Sequence, residues 1–233
     1  MPSVKSMSTT YTSVGAEQPE RIGLVRQLGV DTGYVLLGFP LAVLSFSVLV
    51  AGFSAGLGAL VVVLGVPILA GTLIVARFFA DIERLRIPAV LRRPLIRPTY
   101  RAPEPGAGFW KKIVTPLAQS QFWLDLTYGI VHFPIAVVTF SIVVSWWATA
   151  IGGTLSIAWD WSIPRSPDNT SLAQLIGLGD SAFARIGFQT ATGLVCLVSL
   201  PFVVRGCALL SAGFSRLLLT GVAEMRQTIT VLT

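Results

Sequence analysis

An all-α integral membrane protein with four transmembrane helices, built as two helical hairpins, is what this sequence predicts. Three observations lead there. Of the 233 residues, 53% are hydrophobic and only 12% are charged, whereas a soluble domain is nearer a quarter charged. No charged residue occurs from Thr32 to Ala76, a run too long for one crossing of a ~30 Å hydrocarbon core, which takes about 20 residues. Finally, Asp31, Tyr34, Phe39, Pro40, Ala42, Val43, Phe46, Ser47 and Val50 recur 94 positions later as Asp125, Tyr128, Phe133, Pro134, Ala136, Val137, Phe140, Ser141 and Val144. Self-similarity of this kind marks a duplicated unit. Leu60, Val61 and Pro67 extend it to Leu194, Val195 and Pro201 after a shift of 134.

Residues 1–20 are polar and lack an apolar h-region, so they read as a cytoplasmic tail and not as a signal peptide. The membrane domain is expected over 21–221, followed by a cytoplasmic tail at 222–233. Gly52, Ser54, Gly56 and Gly58 supply a turn within the first apolar run, placing spans at about 33–54 and 58–79. Two further apolar runs give spans at about 126–149 and 186–211.

Orientation follows from lysine and arginine in the flanks. The N-terminal flank, the 80–125 connection with its approach and the C-terminal flank hold 15 of the 17; the 150–185 loop holds only Arg165 and Arg185. Both termini and the 80–125 connection are therefore expected in the cytoplasm, and the 150–185 loop outside. With two spans per repeat, both hairpins would point the same way, around an axis along the membrane normal.

The formal charge of +6 sits in those flanks, where the anionic inner leaflet already explains it. No nucleic-acid partner is expected. Phe109, Trp110, Phe122 and Trp123 read as an interfacial helix feeding the third span. In the outer loop, Trp159, Asp160, Trp161, Asp168 and Asp180 are the candidates for receiving a stimulus.

Inside the membrane the candidates are few. Pro40, Pro67, Pro134 and Pro201 fall at equivalent places in the four spans. Each removes a helical hydrogen bond, fixing curvature or forming a hinge. His132 is the sole histidine; intramembrane ionisable groups are functional candidates, though a packing role is the commoner case. Arg205 lies at nearly the same depth, and the duplicated Asp31 and Asp125 are its natural partners in a polar clamp at the inner end. Cys196 and Cys207 share a helix face and read as packing residues. No phosphate loop, His-Glu-x-x-His or Cys-x-x-Cys is present. No catalytic, metal or cofactor site is expected.

The runs Tyr34–Phe46, Leu64–Leu69 and Ala76–Arg86, with Phe122-Trp123 before Tyr128–Pro134, resemble the "putative sensor" domain of actinobacterial membrane proteins. That domain is the four-helix module of certain two-component histidine kinases. The resemblance implies a non-enzymatic signal-input role, here with no kinase domain expected. Expected partners are the lipid bilayer, a membrane or cytoplasmic signalling protein, or a second copy of the chain. An accessory subunit of a larger membrane complex is the alternative. A small transporter is the less favoured reading, since only scattered serines and threonines mark the midplane.

Overall fold

The computed structural model describes residues 23–62, 64–92, 108–159, 162 and 181–232. All secondary structure among them is helical. Helix α1 spans Leu24–Gly58 and is followed by a 3-10 turn at Ala59–Val62. Then come α2 (Gly65–Leu91), α3 (Phe109–Leu117), α4 (Ser120–Thr154), the single turn α5 (Ser156–Trp159) and α6 (Ala182–Leu232). Helices α1, α2, α4 and α6 are each long and apolar enough to cross a membrane.

Helices α1, α4 and α6 outrun the expected spans at both ends, while α2 starts later and ends later than expected. At 1.5 Å per residue, the 35 residues of α1 reach about 52 Å, well beyond a hydrocarbon core. The residues expected as a cytoplasmic tail at 222–232 continue α6. The hairpin turn also moves. Gly52 and Gly56 do not break α1; they face α2 at close range. A Cβ on Gly52 would sit 2.5 Å from Thr72 Oγ1, and one on Gly56 would sit 2.7 Å from Leu69 Cγ. In lipid an unsatisfied backbone is costly, so glycines there serve close helix packing and the chain leaves α1 at the 3-10 turn Ala59–Val62 instead.

The proline pattern is less regular than the repeat implied. Pro40, Pro134 and Pro201 lie deep inside α1, α4 and α6. Pro67 is the third residue of α2, in the first turn, where a missing N–H costs nothing. It is no hinge. Pro88 is carried within α2. That helix ends at Arg92, in the left-handed conformation at φ 53°, whose N–H donates to Pro88 O at 2.9 Å.

The direction of packing overturns one expectation. Within each hairpin the helices are antiparallel: Gly56 meets Leu69 and Gly38 meets Arg86 in the first, while Tyr128 meets Ser215 and Trp146 meets Ser199 in the second. Between hairpins, α1 and α4 are antiparallel as well. Thr32 contacts Trp147, Phe39 stacks on Phe140, Phe46 on Phe133, and Phe53 meets Trp123. Numbers rise along α1 as they fall along α4. The two hairpins are thus inverted relative to each other, not parallel as expected. Because α6 opposes α4, it runs with α1, so the start of α1 and the end of α6 lie at opposite ends of the bundle, which corrects the N-in/C-in arrangement. The lysine and arginine count took the 80–125 connection to begin and end on one face. In the structure Arg92 reaches Gln27 whereas Trp123 meets Phe53, 26 positions or about 39 Å further along α1.

The Phe stacks carry the imprint of the duplication. Phe39 and Phe133 are repeat equivalents, as are Phe46 and Phe140. The two crossed stacks, at 4.2 and 4.5 Å with interplanar angles of 17° and 19°, are images of each other under that exchange. Such geometry is typical of inverted repeats meeting across a pseudo-twofold axis. Around it, Leu49, Leu73, Val143, Leu200 and Val204 are enclosed, and outward faces bear apolar side chains such as Phe78, Val195, Phe202 and Leu217. Cys196 and Cys207 are free and pack against the core.

Candidate functional site

The apolar bundle buries a group of charged and polar side chains: Asp31, Glu83, Arg84, Asp125 and His132. Taking such groups out of water is expensive unless each finds a partner. The pairing follows a pattern. Both duplicated aspartates are bonded across the hairpin boundary.

Asp31, on α1 of the first hairpin, receives Arg205 from α6 of the second. Arg205 Nη1 donates to Asp31 Oδ1 at 3.0 Å and Oδ2 at 3.3 Å, and to the Val90 carbonyl at 3.0 Å. Gln27 Nε2 adds a bond to Asp31 Oδ1 at 2.7 Å. Asp125, on α4 of the second hairpin, receives Arg84 from α2 of the first, Nη2 to Oδ1 at 2.6 Å. Arg84 also binds Asp81 at 2.8 Å and the Leu219 carbonyl at 3.3 Å, and Gln121 Nε2 donates to Asp125 at 3.3 Å. Of the clamp candidates, then, Arg205 meets Asp31, and Asp125 is held elsewhere by Arg84.

Between these pairs lies a layer built on the duplicated tyrosines. The Tyr34 hydroxyl donates to Glu83. Arg86 Nη1 donates to Glu83 Oε2 at 2.9 Å, Nη2 donates to the Tyr34 carbonyl at 2.6 Å, and the guanidinium lies 4.8 Å from the Tyr34 ring centroid. Tyr128 shares a 3.1 Å hydrogen bond with Ser215. His132 stacks between Tyr128, centroids 4.9 Å apart, and Phe214, at 6.3 Å. It borders a cavity of about 20 Å³ lined by Gly38, Leu41, Ala42, Ser45, Phe79, Glu83, Tyr128 and Gly129 besides His132 itself. Among the described residues, neither His132 Nδ1 nor Ser45 Oγ has a hydrogen-bond partner.

Glu83, Arg84 and Arg86 are not among the expected site residues, because they lie beyond the second span expected at about 58–79. Two signals pointed to them. Tyr34 and Tyr128 are themselves duplicated polar residues, and Asp81, Glu83, Arg84 and Arg86 fall at i,i+3 spacings that a single helix can pair. Of the outer-loop candidates, the Trp159 side chain and Asp160, Trp161, Asp168 and Asp180 lie outside the described residues. No group of three or more His, Cys, Asp or Glu side chains among the described residues could hold a metal ion. The network supplies cohesion between hairpins through charge.

The Arg205–Asp31 pair gives a direct check. In a double-mutant cycle of Arg205→Ala with Asp31→Ala, a coupling of at least ~0.5 kcal/mol is expected, whereas Arg205→Ala with Asp125→Ala should couple by less than ~0.3 kcal/mol. Equal coupling for the two cycles would contradict the observed partner choice.

A family model described as Putative sensor matches residues 34–219 of the chain. No curated protein and no solved structure matches it. The matched stretch opens at Tyr34 and closes at Leu219, whose carbonyl accepts from Arg84.

Proposed function

This chain belongs to the Putative sensor family, and from that premise we propose that it is a non-enzymatic sensor and signal-relay module of the cell membrane. Its two hairpins are the moving parts, and the crossed ion pairs hold them in register. The observation that carries this reading is the crossing itself: Asp31 is held by Arg205 and Asp125 by Arg84, each arginine coming from the other hairpin. Hairpins held only by apolar packing could slide with little penalty. Hairpins locked by two charge pairs, one enclosed and one with its aspartate enclosed and its arginine partly exposed, have a defined resting state, and a stimulus that separates either pair leaves charges needing new partners. Switching requires discrete states of this kind, not a continuously yielding interface.

The signal leaves through the helix ends. Helix α6 runs 51 residues, far more than one crossing requires, so a change in hairpin register displaces its distal end. The recipient is a membrane or cytoplasmic signalling protein, or a second copy of the chain.

Spin labels on Leu24 and Phe183, exposed residues of the two hairpins, test the reading in lipid nanodiscs. The distance distribution should shift in Asp31→Asn, and should respond to at least one of osmotic strength, lipid composition, temperature or pH. A single distribution unchanged by the variant and by every condition would refute it.

A further inference from the structure

The His132 cavity stands apart from the two ion pairs that cross between hairpins, and Glu83 on its wall is paired with Arg86 of its own helix. It lies where the hairpins meet: α1 lends Gly38, Leu41, Ala42 and Ser45, α2 lends Phe79 and Glu83, and α4 lends Tyr128, Gly129 and His132. Two of its lining residues each carry a polar atom, His132 Nδ1 and Ser45 Oγ, that makes no hydrogen bond to the described protein, and both residues are more than nine-tenths buried. Buried polar atoms are rarely left so. At about 20 Å³ the cavity exceeds the ~10–15 Å³ that one water requires.

We propose that this cavity is a proton-binding site: a water molecule bridges Ser45 Oγ and His132 Nδ1, and His132 takes up a proton there opposite the Glu83 carboxylate. It deepens the sensor reading, and rests on it, by naming acidification as the stimulus. The groups facing His132 are consistent with the assignment. From α2 come Glu83, an acceptor for an imidazolium, and Arg86, which opposes it while engaging Glu83 at 2.9 Å. From α1 come Ser45 and, through Glu83, the Tyr34 hydroxyl. From α4 comes Tyr128, already bonded to Ser215, and α6 contributes the Phe214 ring.

The step balances simply. The lone pair on one ring nitrogen accepts H⁺ from solvent through the bridging water, and the ring then carries two N–H donors and a positive charge. Before uptake, Glu83 is bonded to Tyr34 and Arg86, both within the first hairpin. After uptake it also faces a cation from the second. Acid thereby adds an attraction across the hairpin boundary.

His132 is the chain's sole histidine, so ring nitrogens report on this site alone. The test uses the full chain in lipid nanodiscs, purified without a histidine tag and labelled with ring-¹⁵N histidine. Its NMR spectra are followed from alkaline to acidic pH together with the Leu24–Phe183 spin-label distance. The expected result is one reversible change from the neutral ring to imidazolium while the helices persist. Glu83→Gln should weaken proton uptake about tenfold, and Ser45→Ala should also displace the midpoint. A ring that keeps one protonation state throughout the folded range overturns the proton site. So does titration identical in wild type and both variants. A ring that titrates as expected while the distance stays fixed leaves the site standing and counts against acid as the sensor's stimulus. A distance change without ring titration does the reverse.

Discussion

Arg84→Ala is expected to cost the fold about 3–5 kcal/mol, because it leaves Asp125 charged and enclosed. The Arg84 side chain is 4% exposed and Asp125 is 0% exposed, at 2.6 Å. Gln121 remains as a 3.3 Å donor to Asp125, and a neutral amide does not replace a guanidinium. The Leu219 carbonyl also loses its Arg84 donor. Asp125→Ala should cost less, since Arg84 keeps Asp81, whose side chain is half exposed, and the Leu219 carbonyl. Replacing both, Arg84→Met with Asp125→Leu, should recover most of the loss, since a buried pair exchanged for apolar groups is often neutral or better. Reversible unfolding in mixed micelles, followed by tryptophan fluorescence, measures all three. A double variant as unstable as the worse single one would show that packing at this site matters more than charge. The Arg205–Asp31 pair should respond more weakly. The Arg205 side chain is 32% exposed, and solvent screens what burial would amplify.

The number and class of helices could be read from the sequence because hydrocarbon thickness and charge exclusion act on composition directly. The two 35-residue helices α1 and α4, each with one deep proline, are the duplicated run Asp31–Val50 and Asp125–Val144 seen whole. The relative direction of the hairpins could not be read that way. Repeats that share a sequence pattern can associate parallel or inverted, and the choice is made by which faces meet. Phe39 and Phe46 satisfy the same alternation in either case; only the contacts with Phe140 and Phe133 decide. The site shows a similar limit. Arg205 and Asp31 stood out because a lone charge in an apolar run is conspicuous. Arg84 did not, because it sits among Asp81, Glu83 and Arg86, a sequence that looks like a helix leaving the membrane. Burial of Arg84 arises from α4 and α6 covering it through Asp125 and Leu219, and coverage by a partner 41 or 135 residues away has no local signature.

The second hairpin depends on an approach that only glycine permits. Gly153 of α4 faces Gly193 of α6: a Cβ on Gly153 would lie 2.7 Å from both the Gln189 carbonyl oxygen and Gly193 Cα, and one on Gly193 would lie 2.5 Å from the Gly153 carbonyl carbon. These obstacles are backbone atoms, so no rotamer change relieves them. The helices must separate. Separation at this point disturbs the Ser156–Thr190 hydrogen bond at 2.9 Å and, further along, the Trp146–Ser199 bond at 3.0 Å. Gly193→Leu is therefore expected to destabilise the bundle by about 3 kcal/mol, the upper part of the range for overpacking. Gly206→Leu on the same helix, where an added Cβ meets nothing within 4 Å, should change stability by less than ~0.5 kcal/mol. Helix propensity alone predicts a gain for both, because leucine is the better helix former. The sign of the Gly193 variant thus separates the two effects: a loss means that close contact between α4 and α6 fixes the hairpin, and a gain would mean that the helices have room to part. In lipid, where apolar surface gains nothing by leaving its surroundings, such backbone proximity is a main source of helix association, so the loss is expected to dominate.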